Sequence, residues 1–149
     1  MLKIELLKKK FFIKFKELTN LICEKSPLQK KRIQSFHSKQ NKKFFDEAEN
    51  FVIFYNNFLE SKKLKFDFIA DGYLNMCRDM MKSRIYFLKE GKYPSENQKE
   101  VFDNLYNKEN EMLLLMIGLA FTQFLWETHY EMYQHFKNFI KQERKNNLE

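Results

Sequence analysis

Apolar residues recur at helical spacing along almost the whole chain. The first such stretch, residues 2–24, contains neither glycine nor proline. Its apolar positions lie three or four residues apart: Ile4, Leu7, Phe11, Phe15, Leu18 and Ile22. This spacing predicts one amphipathic helix with lysines on its outer face. Either the chain's own core or a partner helix would cover the apolar stripe.

Capping signals predict where the next helices begin. Ser26 stands directly before Pro27, a pair typical of a helix start, so a second helix is expected from Pro27 to about Ser38. Apolar positions with a period near 3.6 predict a third helix over residues 42–59.

A fourth, longer helix is expected from Asp67, which would cap it, to Gly91, which would end it. Its predicted core stripe is Ile69, Tyr73, Met76, Met80 and Phe87. Gly72 is expected to weaken the helix near its start.

The densest apolar run lies near the carboxyl end of the sequence. Pro94 and a capping box at residues 95–98 predict a short helix carrying Val101, Phe102, Leu105 and Tyr106. Residues 112–126 are apolar on every helical face except for Thr122 and Gln123, which predicts a buried core helix too short to cross a bilayer. A further capping box at residues 128–131 predicts a break near Glu127 and a last helix from His129 to about Lys145.

These patterns predict an all-α protein, a compact bundle of about six or seven helices around a buried hydrophobic helix. Composition agrees, because 17 phenylalanines supply core volume while three glycines and two prolines leave little material for hairpins. We expect residues 1–149 to form a single helical domain with a basic part, residues 1–66, and a core part, residues 67–145.

Charge is unevenly distributed between these two parts. Residues 1–66 carry 16 basic against 7 acidic side chains, whereas residues 67–149 carry 11 against 13. A basic half of this kind fits a lysine-rich solvated face, or a surface for nucleic acid, an anionic membrane or an acidic partner. Lysines predominate, and no helix-turn-helix glycine accompanies them, so nucleic acid is the less expected partner.

Motifs for catalysis or cofactor binding are missing from the sequence. The three glycines lie far apart, so no glycine-rich phosphate loop is formed. His129 and His135 are six residues apart, which separates them around a helix, and we expect no metal site. Cys23 and Cys77 are expected to be reduced core thiols. The absence of a signal-peptide pattern and of a membrane span suggests a cytoplasmic location.

Two segments resemble a known family. They contain RIYF at residues 84–87, KEGKY at 89–93, and GLAFTQFLW at 118–126, with His129 and Tyr130 following closely. Together with the helix around residues 100–107, they resemble the helical region that precedes the catalytic domain in a group of bacterial class I S-adenosylmethionine-dependent methyltransferases. The resemblance covers roughly residues 67–140. Glu127 departs from it, because the family would have proline in that turn.

The resemblance implies a helical module that forms a homodimer, covers the substrate pocket, or does both. In the family a strand and a glycine-rich acidic turn would follow and hold S-adenosylmethionine. Here residues 141–149 read KQERKNNLE, so a Rossmann-type catalytic domain, in cis or on a partner, would have to supply the cofactor site. The chain itself is expected to hold no cofactor.

If this module faces a substrate, six residues are its candidates, because each carries a polar tip on a larger body: Tyr86, Tyr93, Gln123, Trp126, His129 and Tyr130. His129 would orient or deprotonate an acceptor hydroxyl, while Trp126 and the tyrosines would shape the pocket. The alternative for each is a core side chain with its polar atom satisfied internally. The alternative for the chain as a whole is a stand-alone interaction protein that binds an acidic partner or nucleic acid through its basic helices.

Overall fold

The computed structural model of the chain describes residues 13–94, 99, 103 and 106–146. Regular structure in these residues is helical throughout, which confirms the all-α prediction. The helices are α1 Ile13–Lys25, α2 Pro27–His37, α3 Lys42–Ser61, α4 Asp67–Glu90, α5 Glu109–Leu125 and α6 Glu127–Asn146. The short helix predicted from residue 95 lies largely outside the described residues.

Helix α1 begins at a side chain from α3. The backbone N–H groups of Lys14 and Phe15 donate to the two carboxylate oxygens of Glu49, at 3.0 and 2.7 Å. The first N–H groups of a helix lack intrahelical acceptors, and a carboxylate satisfies them while complementing the helix dipole. Within the described residues this helix starts at Ile13, and residues 2–12 of the predicted helix lie outside them.

The predicted starts of α2 and α4 are confirmed, but the capping residues predicted for them are wrong. Pro27 is the first residue of α2, but the Ser26 side chain makes no capping hydrogen bond. Asp67 is the first residue of α4 and not its cap, because Phe66 before it already has helical backbone angles. The residue types near Pro27 and Asp67 were enough to predict where each helix starts. A capping hydrogen bond also depends on the backbone conformation of the residue before the helix, which residue type does not give.

Two other helix ends are determined by single residues. Gly91 ends α4 as predicted, with a left-handed φ of 69° and its N–H donating to the Phe87 carbonyl at 2.8 Å. Asn41, which the sequence analysis did not single out, caps α3 by accepting from the Phe44 N–H at 3.2 Å.

Residues from all the described helices meet in one hydrophobic core. Its most aromatic part, here called the aromatic cluster, consists of Phe15, Phe36, Phe44, Phe124 and Tyr130, with edge-on and tilted ring contacts. Leu18 and Ile22 of α1 are fully buried beside it. The described part of the predicted α1 stripe is thus covered by the chain's own core and not by a partner helix.

Helices α4 and α5 pack closely against each other at two glycines. A Cβ atom on Gly72 would lie 2.6 Å from the Leu114 carbonyl oxygen, and one on Gly118 would collide with the Gly72 carbonyl oxygen. The expectation that Gly72 merely weakens α4 is therefore wrong, because the missing side chain is what allows the two backbones to touch.

Burial along α4 and α5 is less complete than predicted. Ile69, Tyr73 and Met76 of α4 are buried, but Met80 and Phe87 are exposed. On α5, Met116 and Leu119 are each 50% exposed, so the prediction of a helix buried on every side is wrong. An apolar run shows that some face is buried, but it does not show which face remains uncovered.

The chain bends between α5 and α6 at Trp126. This residue has extended backbone angles, φ −125° and ψ 125°, and α6 begins at the next residue. The predicted break is confirmed within a residue, but Thr128 lies inside α6 and not at its cap. The two helices meet at 86°.

Candidate binding groove

An open groove of about 790 Å³ runs between α2, the second half of α4 and α5. Apolar side chains line most of it, among them Met76, Met80, Leu115 and Trp126. It exists because α4 extends beyond its contact with the core, so that residues 80–88 keep one side open. Pockets of 300–1,000 Å³ with apolar walls and a few polar groups are typical of small-molecule sites.

A chain of hydrogen bonds through the buried Tyr73 hydroxyl holds two side chains that line the groove, Gln29 and Trp126. The Trp126 indole N–H donates to the Tyr73 hydroxyl at 2.9 Å, and that hydroxyl donates to the Gln29 side-chain oxygen at 3.0 Å. Burial raises the pKa of Tyr73 far above its ordinary value, so the phenol is neutral and keeps its donor proton. The network joins α5, α4 and α2 and thereby fixes the orientation of the Trp126 ring.

Two arginines reach this groove. The Arg32 guanidinium lies over the Trp126 ring, 4.8 Å from its centroid, in a cation–π contact. Arg84 lines the groove from α4. Asp79 is the acidic residue on the same wall, and its carboxylate lies 3.7 Å from the Lys82 ammonium.

His129 contacts the groove only through Trp126. Its ring packs edge-on against the indole with centroids 4.8 Å apart. The Thr122 hydroxyl donates to the Leu119 carbonyl at 2.6 Å, so its oxygen must accept from His129 Nδ1, 2.7 Å away. In the neutral imidazole the lone pair then lies on Nε2. With Nδ1 bonded to Thr122, the His129 ring packs against Trp126 and supports it.

The structure brings some of the predicted site residues together and separates the others. Trp126 and Tyr93 line the same groove, and Tyr93 stacks on Phe87 at 4.7 Å. His129 touches Trp126, as described above. Tyr130 lies instead in the aromatic cluster, 4.9 Å from Phe44. Tyr86 is exposed on α4, and Gln123 is half-buried on α5 without lining the groove.

Sequence reasoning missed the groups that give the groove its polarity. Gln29 and Arg32 lie on α2, far along the chain from Trp126. The predicted core position of Tyr73 is confirmed, but the hydrogen bonds of its hydroxyl to Gln29 and Trp126 were not predicted. One signal was present in the composition: the chain has four arginines among its 27 basic residues, and two of them, Arg32 and Arg84, line this groove. Arginine suits stacked and bidentate contacts better than lysine does.

A second, smaller cavity of about 370 Å³ lies beside His37, between α1 and α3. His37 Nε2 donates to the Phe124 carbonyl at 2.9 Å, so the neutral ring carries its proton on that nitrogen. Burial lowers the pKa of His37, although the bond to the carbonyl opposes this effect. The ring is held as a structural group of the core.

Several lysines of the basic half are paired with acidic residues of the other half. Lys25 contacts Asp71 at 2.7 Å, Lys39 contacts Glu127 at 3.1 Å, and Lys62 contacts Glu109 at 3.0 Å. These exposed pairs each contribute about 0–1 kcal/mol. Part of the charge asymmetry along the sequence is therefore balanced inside the fold.

The described residues offer neither a cluster of metal ligands nor a single membrane-spanning helix. In residues 13–94 and 106–146 no group of three or more histidine, cysteine and acidic side chains lies close enough to hold a metal ion. None of the described helices has by itself the length and hydropathy of a membrane span, although α5 and α6 reach them as a bent pair.

Comparison with protein-family models, curated proteins and solved structures gave no match. The assignment of a function therefore depends on the groove itself and on the resemblance described above.

Proposed function

We propose that this chain is the substrate-covering helical part of an S-adenosylmethionine-dependent methyltransferase. One observation supports the proposal most directly. The segments that carry the resemblance are distant in sequence, yet Arg84, Phe87 and Tyr93 from one and Trp126 from the other line the same groove. If these two segments serve a binding function, their residues are expected to line one concave surface, as these residues do.

In this proposal the groove holds the methyl acceptor against a catalytic domain. Trp126, fixed by Tyr73 and supported by His129, forms a rigid wall, while Tyr93 and Phe87 close the far end. Rigid positioning of an acceptor is a large part of the catalytic effect available to such a module. The base role expected for His129 stays a prediction, since its ring supports the wall without lining the groove.

The methyl-transfer step itself lies outside the described residues. S-adenosylmethionine would be held by a Rossmann-type domain, in cis or on a partner, because the sequence contains no glycine-rich cofactor loop. Homodimer formation and a cytoplasmic location stay predictions of the same proposal.

The rival function, an interaction protein with a basic binding face, is favoured by one feature of α2. Lys30 and Lys31 are exposed on this helix, beside Arg32. Binding of nucleic acid or an acidic protein to such a face would weaken steeply as salt is raised from about 50 to 200 mM, whereas an apolar groove would respond little.

The test of the methyltransferase proposal uses the protein as its source cells make it. Antibody against the exposed end of α3 and the turn after it, residues 60–63, would precipitate the native protein, and the precipitate would be irradiated with tritiated S-adenosylmethionine. We expect a labelled polypeptide, either carrying this sequence or co-precipitating with it, and we expect excess unlabelled cofactor to abolish the labelling. A precipitate without a labelled polypeptide, when a known methyltransferase labels under the same conditions, would contradict the proposal.

A further inference from the structure

We infer that the groove between α2, α4 and α5 binds a single-chain organic anion, with its carboxylate or phosphate at Arg32 and Arg84 and its apolar body along Met76, Met80 and Leu115. This inference deepens the proposed function, because it names the chemical class of the molecule that the groove covers. It follows from the charges on the groove wall, from its apolar lining and from its size.

Arg32 is positioned to receive an anion. The cation–π contact pairs the guanidinium with the Trp126 ring and not with a carboxylate, so N–H donors of Arg32 remain for another partner. Among the described residues no carboxylate pairs with Arg32 or with Arg84. An arginine next to an apolar surface, without an internal acid, is a strong candidate for binding a carboxylate or phosphate.

The net charge of the wall agrees with this assignment. Asp79 faces the groove, but Lys82 one turn further along α4 lies near its carboxylate. Because Lys82 offsets the negative charge of Asp79, the two arginines give the wall a net positive charge. A cationic ligand would meet net repulsion here, whereas an anion would be attracted.

The remaining surface selects an apolar body. Met76, Met80 and Met81 contribute flexible side chains that adapt to different shapes, and Leu115 and Trp126 contribute rigid ones. The volume of about 790 Å³ suits one small molecule and not a folded partner. A medium-length acyl or aromatic chain with one anionic end matches these properties.

The binding experiment uses Trp126, which is the only tryptophan of the chain and lies on the groove wall. The probe is 11-bromoundecanoate at a monomeric concentration, because its bromine quenches indole fluorescence on contact. We expect saturable quenching by this anion and much weaker binding of the matched neutral alcohol, 11-bromoundecanol.

Two double variants separate the site from general charge. Arg32→Gln with Arg84→Gln removes both proposed contacts, and we expect the Kd of the anion to rise about tenfold or more. Lys31→Gln with Arg78→Gln removes the same charge from the same two helices without touching the groove wall, and we expect less than about a twofold change. Circular dichroism of each variant checks that the fold is kept.

Equal quenching by the acid and the alcohol, or an unchanged Kd in the Arg32/Arg84 variant, would overturn the inference. Sedimentation with phosphatidylglycerol vesicles tests a lipid surface as the source of the anion: we expect the chain to stay in the supernatant. Pelleting with vesicles, combined with no quenching by the monomeric probe, would also overturn it. None of these measurements requires S-adenosylmethionine or a catalytic domain, so the binding inference and the methyltransferase proposal can fail separately.

Discussion

Gly118 of α5 lies with its Cα against the carbonyl of Gly72 in α4, so that these two helices touch through their backbones. Any side chain at either position would push the helices apart. The contact adjoins the backbone of Tyr73, whose hydroxyl holds Trp126 of the groove wall, so the spacing of the two helices also affects the shape of the groove.

Replacing Gly118 by alanine should therefore destabilise the protein by about 1–3 kcal/mol, because the added methyl group meets backbone that cannot rotate away. Helix propensity alone predicts the opposite sign, a gain of about 1 kcal/mol. Urea denaturation of Gly118→Ala decides between the two. Lys89→Ala, on the exposed end of α4, is the control and should be nearly neutral. A Gly118→Ala variant more stable than the parent would show that α4 and α5 are not in direct backbone contact.

Glu49 should be essential to the start of α1. It is only 1% exposed and accepts the N–H groups of Lys14 and Phe15, so Glu49→Ala leaves two donors without a partner. We expect a loss of about 1–3 kcal/mol in the free energy of unfolding. Glu17→Ala removes an exposed carboxylate whose ion pair among residues 13–94 is with Lys14, and it should cost less than about 1 kcal/mol. Equal effects of the two substitutions in thermal denaturation would refute the capping role.

His37 should make the protein less stable in mild acid. Burial lowers its pKa below the ordinary value of 6.5, so the unfolded chain takes up a proton before the folded chain does. The stability that this difference contributes is present above about pH 6.5 and is lost as the pH falls below that value. In His37→Gln the decline between about pH 7 and 5 should be shallower. His135→Gln, on the exposed side of α6, should keep the parental slope, and the same slope in both variants would contradict the assignment.

Tyr73 should have the reverse effect at alkaline pH. Its pKa is raised by burial, so above about pH 10 the unfolded chain ionises this phenol while the folded chain does not, and stability falls. Tyr73→Phe should remove that part of the alkaline decline. The same substitution should cost about 1–3 kcal/mol at neutral pH, because the Trp126 indole N–H and Gln29 lose their shared partner. Tyr86→Phe, on exposed α4, should change neither property.

The predicted homodimer can be tested on α6. Met132, Phe136 and Phe139 form an exposed stripe at spacings of four and three residues, and Phe136 is 62% exposed. Met132 and Ile140 lie four residues to either side of Phe136, so an antiparallel second copy would oppose apolar side chains with apolar side chains. We expect Phe136→Glu to lower the mass measured by sedimentation equilibrium from dimer to monomer. Asn138→Glu, on the opposite face of α6, should leave the mass unchanged. A parental chain that is monomeric at all concentrations would refute the dimer.

The positions of the helices were predictable because local chemistry determines them. Pro27 and Gly91 act through their own backbone preferences, and the starts and ends they predict are found in the structure within about one residue. The apolar period of residues 42–59 likewise gave α3 nearly to its observed end at Ser61. None of these features requires knowledge of what lies across the core.

Long-range partners were not predictable in the same way. Glu49 interrupts the apolar stripe of α3 between Ala48 and Val52, which is a visible anomaly, but nothing in the sequence connects it to the start of α1. The partners that form the groove were likewise only partly predictable from the sequence. Tyr93 and Trp126, both candidates from the resemblance, line the groove, but their role stays a prediction. Arg32 reaches Trp126 only through the packing of α2, and periodicity within one helix carries no information about that packing.

The aromatic cluster also has a consequence for synthesis on the ribosome. Phe15, Phe36 and Phe44 are made early, but Phe124 and Tyr130, which pack against them, come from the last two helices. Until those helices leave the exit tunnel, the amino-terminal phenylalanines have only the cover that they give each other. The nascent chain thus exposes aromatic surface during most of its translation, and completion of α5 and α6 is the step that covers this surface.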